Sequence, residues 1–170
     1  EDFELWKMSG ATNITDPGLH QAPVFSKTWI HTGAFLGREK ILNQFEQEYW
    51  YQELKRFELA NQTNVIVDSN EYNLPPARIF DEAGKDLIAS GQLSAEEWQE
   101  ALRACKGMTL RSEIFAEDAK NKTDIDELRK ALTPYSVSTH NCIILRLQPK
   151  GQNKHVIYIV KESEAITYSY

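Results

Sequence analysis

Two carboxylates separated by one residue, Glu162-Ser163-Glu164, stand between stretches of strand-like sequence. Such a pair is a candidate for group-transfer chemistry, although two acids in an exposed hairpin turn are common by chance. Ser138-Thr139-His140 and several arginines, Arg78 and Arg111 among them, lie upstream as candidate partners. His140-Asn141-Cys142 supplies the residue types of a thiol protease. Residues i and i+2 of one strand share a side without facing each other, however, and working Cys/His pairs are usually distant in sequence. His20, His31, His140 and His155 are scattered, with no metal-ligand spacing among them or with a Cys or carboxylate. Tyr49-Trp50-Tyr51 could stack a sugar or cofactor, although aromatic clusters of this kind more often face two core neighbours. Lys150, Lys154 and His155 read as a solvated hairpin tip, and Asn13, Asn61 and Asn121 head Asn-x-Thr sequons.

Composition narrows the classes. The 170 residues carry 19 basic and 25 acidic side chains, a net charge of −6, which argues against nucleic acid as the main partner. A hydrophobic share of 41% with 11% aromatics supplies a core. No apolar stretch approaches the length needed to span a bilayer. Cys105 and Cys142 make no disulfide framework and read as two unpaired buried thiols that pack as small hydrophobes. No basic n-region with an apolar h-region is visible, and the apolar strand Ala165–Tyr170 at the end suggests a piece of something longer.

The elements that position these residues follow from periodicity. Residues 1–23 read as loop around Phe3-Glu4-Leu5-Trp6, and Val24 to Thr32 as a strand ending at Gly33. Leu42, Phe45 and Tyr49, then Trp50, Leu54 and Phe57, recur at helical spacing and predict a helix over 38–58. Val65–Val67 is a possible short strand, Pro75-Pro76 breaks the chain, and 77–90 reads as a short, broken helix. From Leu93 the signals agree. Ser94 is an N-cap, Glu97 completes a capping box, Leu93 and Trp98 make a hydrophobic staple, and Gly107 ends the helix. Met108–Ala116 reads as a strand and Ile125–Leu132 as a weak helix. Beyond Tyr135 the period is two, with a turn at 149–153, a strand at Val156–Val160 covered on both faces, a second turn at Glu162–Glu164, and a last strand. The expected fold class is α+β: a strand at 24–33, a mostly helical segment at 38–107 and an antiparallel meander over 108–170.

Two family resemblances bear on function. A Glu-x-Glu turn, a Ser-Thr-Ser strand and an earlier Arg are the parts that mono-ADP-ribosyltransferases use. This chain departs from that pattern at His140, and little sequence separates His140 from the acids. Glu162 and Glu164 therefore read as a solvated turn, with the transferase as the alternative. The second resemblance covers about residues 27 to 170. It rests on Lys27-Thr28-Trp29-Ile30-His31-Thr32-Gly33-Ala34, Ala101–Gly107, Leu110-Arg111-Ser112-Glu113-Ile114-Phe115-Ala116-Glu117-Asp118, Pro134-Tyr135-Ser136-Val137, Arg146-Leu147-Gln148-Pro149-Lys150-Gly151, and Glu164-Ala165-Ile166-Thr167-Tyr168-Ser169-Tyr170. In this order they resemble the middle region of the B component of bacterial insecticidal Tc toxin complexes, the TcdB/SpvB-like, Rhs-related proteins.

That resemblance implies a non-catalytic, secreted fragment of a larger subunit. With the C component, such a subunit winds a hollow β shell around a toxic C-terminal polypeptide, and a propeller in the same subunit docks on the pore-forming A component. It implies no catalytic, cofactor-binding or metal residue here, no nucleic-acid partner and no direct membrane insertion. The residues expected to matter are packing residues: Trp29, Trp98, Leu110, Tyr135, Leu145, Leu147, Tyr158 and Tyr168.

Overall fold

A computed structural model describes residues 23–35, 41–63, 67, 69–116 and 123–170. The Phe3–Trp6 segment, the sequons at Asn13 and Asn121, and all of Val65–Val67 except Val67 lie outside them. β-Branched and aromatic side chains favour extended backbone in Val24–Ile30, strand β1, which runs antiparallel to β3 (Thr109–Ala116). Strand β4 (Ser136–Gln148) is central. β5 (Ile157–Ser169) pairs antiparallel along its whole length. On the other edge β3 pairs antiparallel with residues 136–139, and β2 (Arg78–Asp81) pairs parallel with 143–146. Helices α1 (Trp50–Ala60), α2 (Ala95–Ala104) and α3 (Ile125–Leu132) complete an α+β architecture in which β3-β4-β5 form the expected meander.

Several local expectations are corrected. Residues 77–90, read as a broken helix, contain β2, because Ile79 is drawn to the core opposite Ile144 and is fully buried. The helix expected over 38–58 starts only at Trp50, after a single 3-10 turn at Glu46–Glu48. Leu42, Phe45 and Tyr49 thus belong to irregular backbone, and 38–107 is helical mainly in α1 and α2. The turn expected at Glu162–Glu164 is absent: β5 passes straight through it. Ile157 and Ile159, 48% and 41% exposed, leave one face of that strand open rather than covered. Tyr135, expected in the core, is 42% exposed. Trp29, Trp98 and Leu110 are buried, and Tyr158 and Tyr168 pack against core clusters.

Helix α2 forms where its local chemistry agrees. The Ser94 side chain accepts the Glu97 N–H at 3.2 Å, and Glu97 accepts the Ser94 N–H at 3.0 Å. Leu93 and Trp98 are both buried beside them, and Trp98, Ala101, Leu102 and Cys105 form one buried stripe. Removing the Ser94 hydroxyl orphans the Glu97 N–H, so Ser94→Ala should lower stability by about 1 kcal/mol in urea unfolding.

The Trp29–Gly33 stretch owes its residue types to packing on the end of α2. His31 exchanges backbone hydrogen bonds with Gly107 and Met108, at 2.9 and 2.8 Å. Gly33 has φ +80°, and a Cβ there would stand 3.0 Å from Lys106 Cβ, so both conformation and proximity favour glycine. The His31 ring is buried, and its Nδ1 accepts the Gly33 N–H at 2.9 Å, which a protonated ring could not do. Burial lowers its pKa below the ordinary 6.5. The unfolded chain therefore takes up this proton first. The stability linked to neutral His31 is complete above about 6.5 and is lost as pH falls through the lower folded value. Urea midpoints should fall between about pH 8 and pH 5.5, and His31→Gln should flatten that slope.

The two halves of the sheet are covered from opposite sides. Val137 packs with Trp50, Leu54 and Phe115 under α1, whereas Cys142 and Ile144 pack with Trp98, Ala101 and Leu102 under α2. These β4 residues differ in parity, so they project to opposite faces. On β5 the switch is accommodated by one extra residue. Asn141 pairs with Glu164 and Cys142 with Glu162, leaving Ser163 as a bulge.

Candidate functional site

The ends of β3 and β2 leave a gap on the edge of β4 at residues 140–142, and the segment 69–75 crosses it. Asn141 Nδ2 donates to the Pro75 carbonyl at 2.9 Å, holding that segment against the sheet. A notch of about 350 Å³ opens there, lined among others by Tyr49, Tyr51, Glu71, Arg111, Thr139 and His140.

Arg111 forms its floor. Strand β3 carries Arg111, Glu113 and Phe115 on the face that packs under α1, so two charged side chains enter the interior together and must pair there. Arg111 Nε donates to Glu113 Oε1 at 2.6 Å, while Nη1 and Nη2 grip both oxygens of Glu71 at 2.7 and 2.9 Å. Nη1 also donates to Thr139 Oγ1 at 3.1 Å, and the guanidinium carbon lies 4.5 Å from the centre of the Tyr49 ring. Glu71 further accepts from Trp50 Nε1 at 2.8 Å and from Tyr170 Oη at 2.7 Å. Glu113 Oε1 accepts the Trp50 N–H, which starts α1, at 3.2 Å.

The electrostatics follow from this unequal sharing. Burial opposes the charge of Glu71, but Arg111, Trp50 and Tyr170 outweigh it and hold its carboxyl below the usual range. At Glu113 burial wins over Arg111 and raises the pKa; its Oε2 is buried without a hydrogen-bond partner. Burial pushes the Tyr49 and Tyr51 hydroxyls up to about 12, so both stay neutral at ordinary pH. Four of the five Arg111 N–H groups are engaged, by Glu71, Glu113 and Thr139. The cluster therefore acts as a fastener that joins β3, the start of α1, segment 69–72 and the end of β5.

Of the residues read as a transferase site, Arg111, Thr139 and His140 line the notch, whereas Glu162, Glu164, Ser138 and Arg78 do not. His140 Nδ1 and Glu162 Oε1 are 3.2 Å apart, and His140 Nε2 lies 3.3 Å from Ser138 Oγ. Glu164 instead meets Asn141 Nδ2 at 3.4 Å. The Ser163 bulge thus sends the two carboxylates to opposite faces, with Arg111 and Thr139 on the face away from His140 and Glu162. Arg78 lies beside Ile143 on β2, apart from Arg111. His140 and Cys142 share a strand face, as their spacing requires, but the imidazole nitrogens lie against Ser138 and Glu162 while the Cys142 side chain is buried in the core cluster under α2. Tyr51 meets the rings of Tyr49 and Trp50 edge to face, and the Trp50 ring lies 5.1 Å from that of Tyr170, so these aromatics wall the Arg111 cluster. Asn61 and Thr63 of the remaining sequon close the end of α1, donating to Phe57 O and Glu58 O at 2.9 and 3.0 Å. His155 Nδ1 lies 3.2 Å from Glu100 Oε1 at the β4–β5 turn. Among the described residues no group of three His, Cys, Asp or Glu could hold a metal ion.

This arrangement defines a packed α+β segment whose polar centre fastens elements together, and the same fold occurs in TcdB-type proteins. A crystal structure of TcdB2-TccC3-TEV matches 91% of this chain at 22% identity with a TM-score of 0.61. A TcdB2-TccC3-Cdc42 structure matches 88% at 22% identity and 0.58, and the Photorhabdus luminescens Tc holotoxin pore, carrying the mutation TccC3-D651A, matches 88% at 20% and 0.54. This chain spans 6% of the length of each of those chains. Residues 100–170 match the family model of the insecticide toxin TcdB middle/C-terminal region. Similarity to TcdB thus extends by sequence over 100–170 and by fold over most of the chain. No curated protein sequence matches it.

Proposed function

We propose that the chain is a non-catalytic structural segment of a secreted toxin-complex B subunit. It contributes to a hollow β shell that encloses a toxic C-terminal polypeptide. Its contacts are with the remainder of the same subunit and with the C component, and only indirectly with the pore-forming A component. The observation that carries this reading is the shared fold with TcdB2 over nine-tenths of the chain. The Arg111 cluster supports it, because most of the Arg111 donors are engaged by the protein's own Glu71, Glu113 and Thr139. The test uses the full-length subunit co-expressed with a C-type partner. Glu162→Gln together with Glu164→Gln should leave assembly and delivery of the enclosed polypeptide unchanged, with no NAD hydrolysis or ADP-ribose transfer in either form. NAD turnover that disappears in the double variant would overturn the proposal.

A further inference from the structure

We propose that Ser138 is a covalent modification site: a hydroxyl, activated by His140 and Glu162, that takes an acyl group from small activated donors such as aryl esters and thioesters. His140 Nδ1 lies 3.2 Å from Glu162 Oε1, and its Nε2 lies 3.3 Å from Ser138 Oγ. An ionised carboxylate only accepts, so in the neutral ring Nδ1 carries the proton and Nε2 is left to accept the Ser138 O–H. This is the order in which an acid fixes the tautomer of a base and the base faces a nucleophile. Side chains two apart on a strand are rooted roughly 7 Å from each other. The imidazole spans that distance by leaning along β4 toward Ser138. The bulge at Ser163 supplies the acid, because it puts Glu162 rather than Glu164 on this face. The His140 and Glu162 side chains are 23% and 60% exposed, so a small donor can reach the group from solvent.

The neighbouring hydroxyls show what sets Ser138 apart. Thr28, Ser112, Ser138 and Thr167 lie in register across β1, β3, β4 and β5. Thr28 and Ser112 oxygens are 3.3 Å apart, and Thr167 Oγ1 lies 3.2 Å from Ser138 Oγ, to which it donates once the Ser138 proton points at His140. Among the described residues, Ser138 alone of these four has an imidazole against it. In the reaction Ser138 Oγ attacks the carbonyl carbon of the donor while its proton passes to Nε2. The bond from that carbon to the leaving oxygen or sulfur breaks, and the leaving group takes the proton, so His140 ends neutral. Nothing is oxidised or reduced. The acyl group then stays on Ser138. Main-chain N–H groups of β3, β4 and β5 lie in the plane of the sheet and are engaged in its ladder, so none converges above Ser138 to hold an oxyanion. The site is therefore one of modification by activated donors and not of turnover, which is compatible with a structural segment.

The experiment incubates the folded full chain with p-nitrophenyl acetate and locates acetyl groups by peptide mass spectrometry. Ser138 should be acetylated. Ser112, half-buried like Ser138 and in register with it on the same face but without a base, should stay unmodified. In urea the difference between the two serines should vanish. His140→Gln should slow acetylation of Ser138 about a hundredfold, at a melting temperature close to that of the parent. Glu162→Gln should slow it by a smaller factor, because that carboxylate is largely exposed and water replaces part of its effect. Nitrogen-15 spectra of the His140 ring test the positioning role of Glu162 separately. The parent should carry its ring proton on Nδ1, and Glu162→Gln should shift the ring toward the Nε2–H form. Acetylation of Ser138 no faster than that of Ser112, or unchanged in His140→Gln, would overturn the inference. So would a parent ring whose proton sits on Nε2.

Discussion

Arg111→Met lowers the unfolding free energy by about 3–5 kcal/mol, because it leaves Glu71 and Glu113 buried beside each other with no cation. The methionine retains most of the side-chain volume, so the loss reports charge rather than a cavity. Arg111→Lys recovers only part of it, since an ammonium cannot engage both oxygens of Glu71 while reaching Glu113. The decisive comparison is a combined variant. Adding Glu71→Gln and Glu113→Gln to Arg111→Met should return much of the loss, because neutral amides cost far less to bury than unpaired carboxylates. Urea unfolding of the single and combined variants measures this directly. If Arg111→Met alone costs less than about 1 kcal/mol, the cluster is not the fastener described above.

Trp98→Ala should cost about 3–5 kcal/mol. The indole is 4% exposed and sits in the largest core cluster with Leu93, Leu102 and Ile144. It is also half of the staple that sets the angle at which the chain enters α2, so its loss loosens the helix start as well as the core. Trp98→Phe, which keeps a ring in place, should cost clearly less. Thermal and urea unfolding of the two variants give the ranking. An alanine variant as stable as the parent would mean that the α2 stripe contributes little to holding the sheet.

What was legible in the sequence was mainly local. The α2 signals, namely cap, staple, stripe and stop, all fall within a short run, and the helix forms where they indicate. Ile125–Leu132 and the long strand after Tyr135 were equally local. Strand β2 was not, since its few residues become a strand only by pairing with Ile143–Arg146 far along the chain. Nor was the start of α1, which is fixed when Glu113 receives the Trp50 N–H. The Glu162–Glu164 turn was misread because a polar Glu-Ser-Glu has the composition of a turn, and only the partner strand reveals a bulge. The Arg111 cluster was missed because Glu71, Trp50 and Tyr170 join it from elements far apart in the chain. One signal was present: Phe115 shares its strand face with Arg111 and Glu113, so that face could not belong to solvent. The resemblance to the Tc B component came from an ordered series of short motifs, and no single residue among them carried it.

The position of β4 also sets an order of events in folding. Its partnership with β5 closes through one short turn, whereas β2 must find it across α2, β3 and α3, and closing a loop costs entropy before the contact repays it. The β4–β5 hairpin is therefore the early structure, and the short parallel strand is the last to join. By the same logic β2 is the first to leave. In native-state hydrogen exchange, the Ile79 and Phe80 amides should open at lower free energy than those of Ile144 and Val160, which the hairpin holds. The strand that completes the sheet is then also its door, and opening it uncovers the Ile144 side of the core while the rest of the fold stays closed.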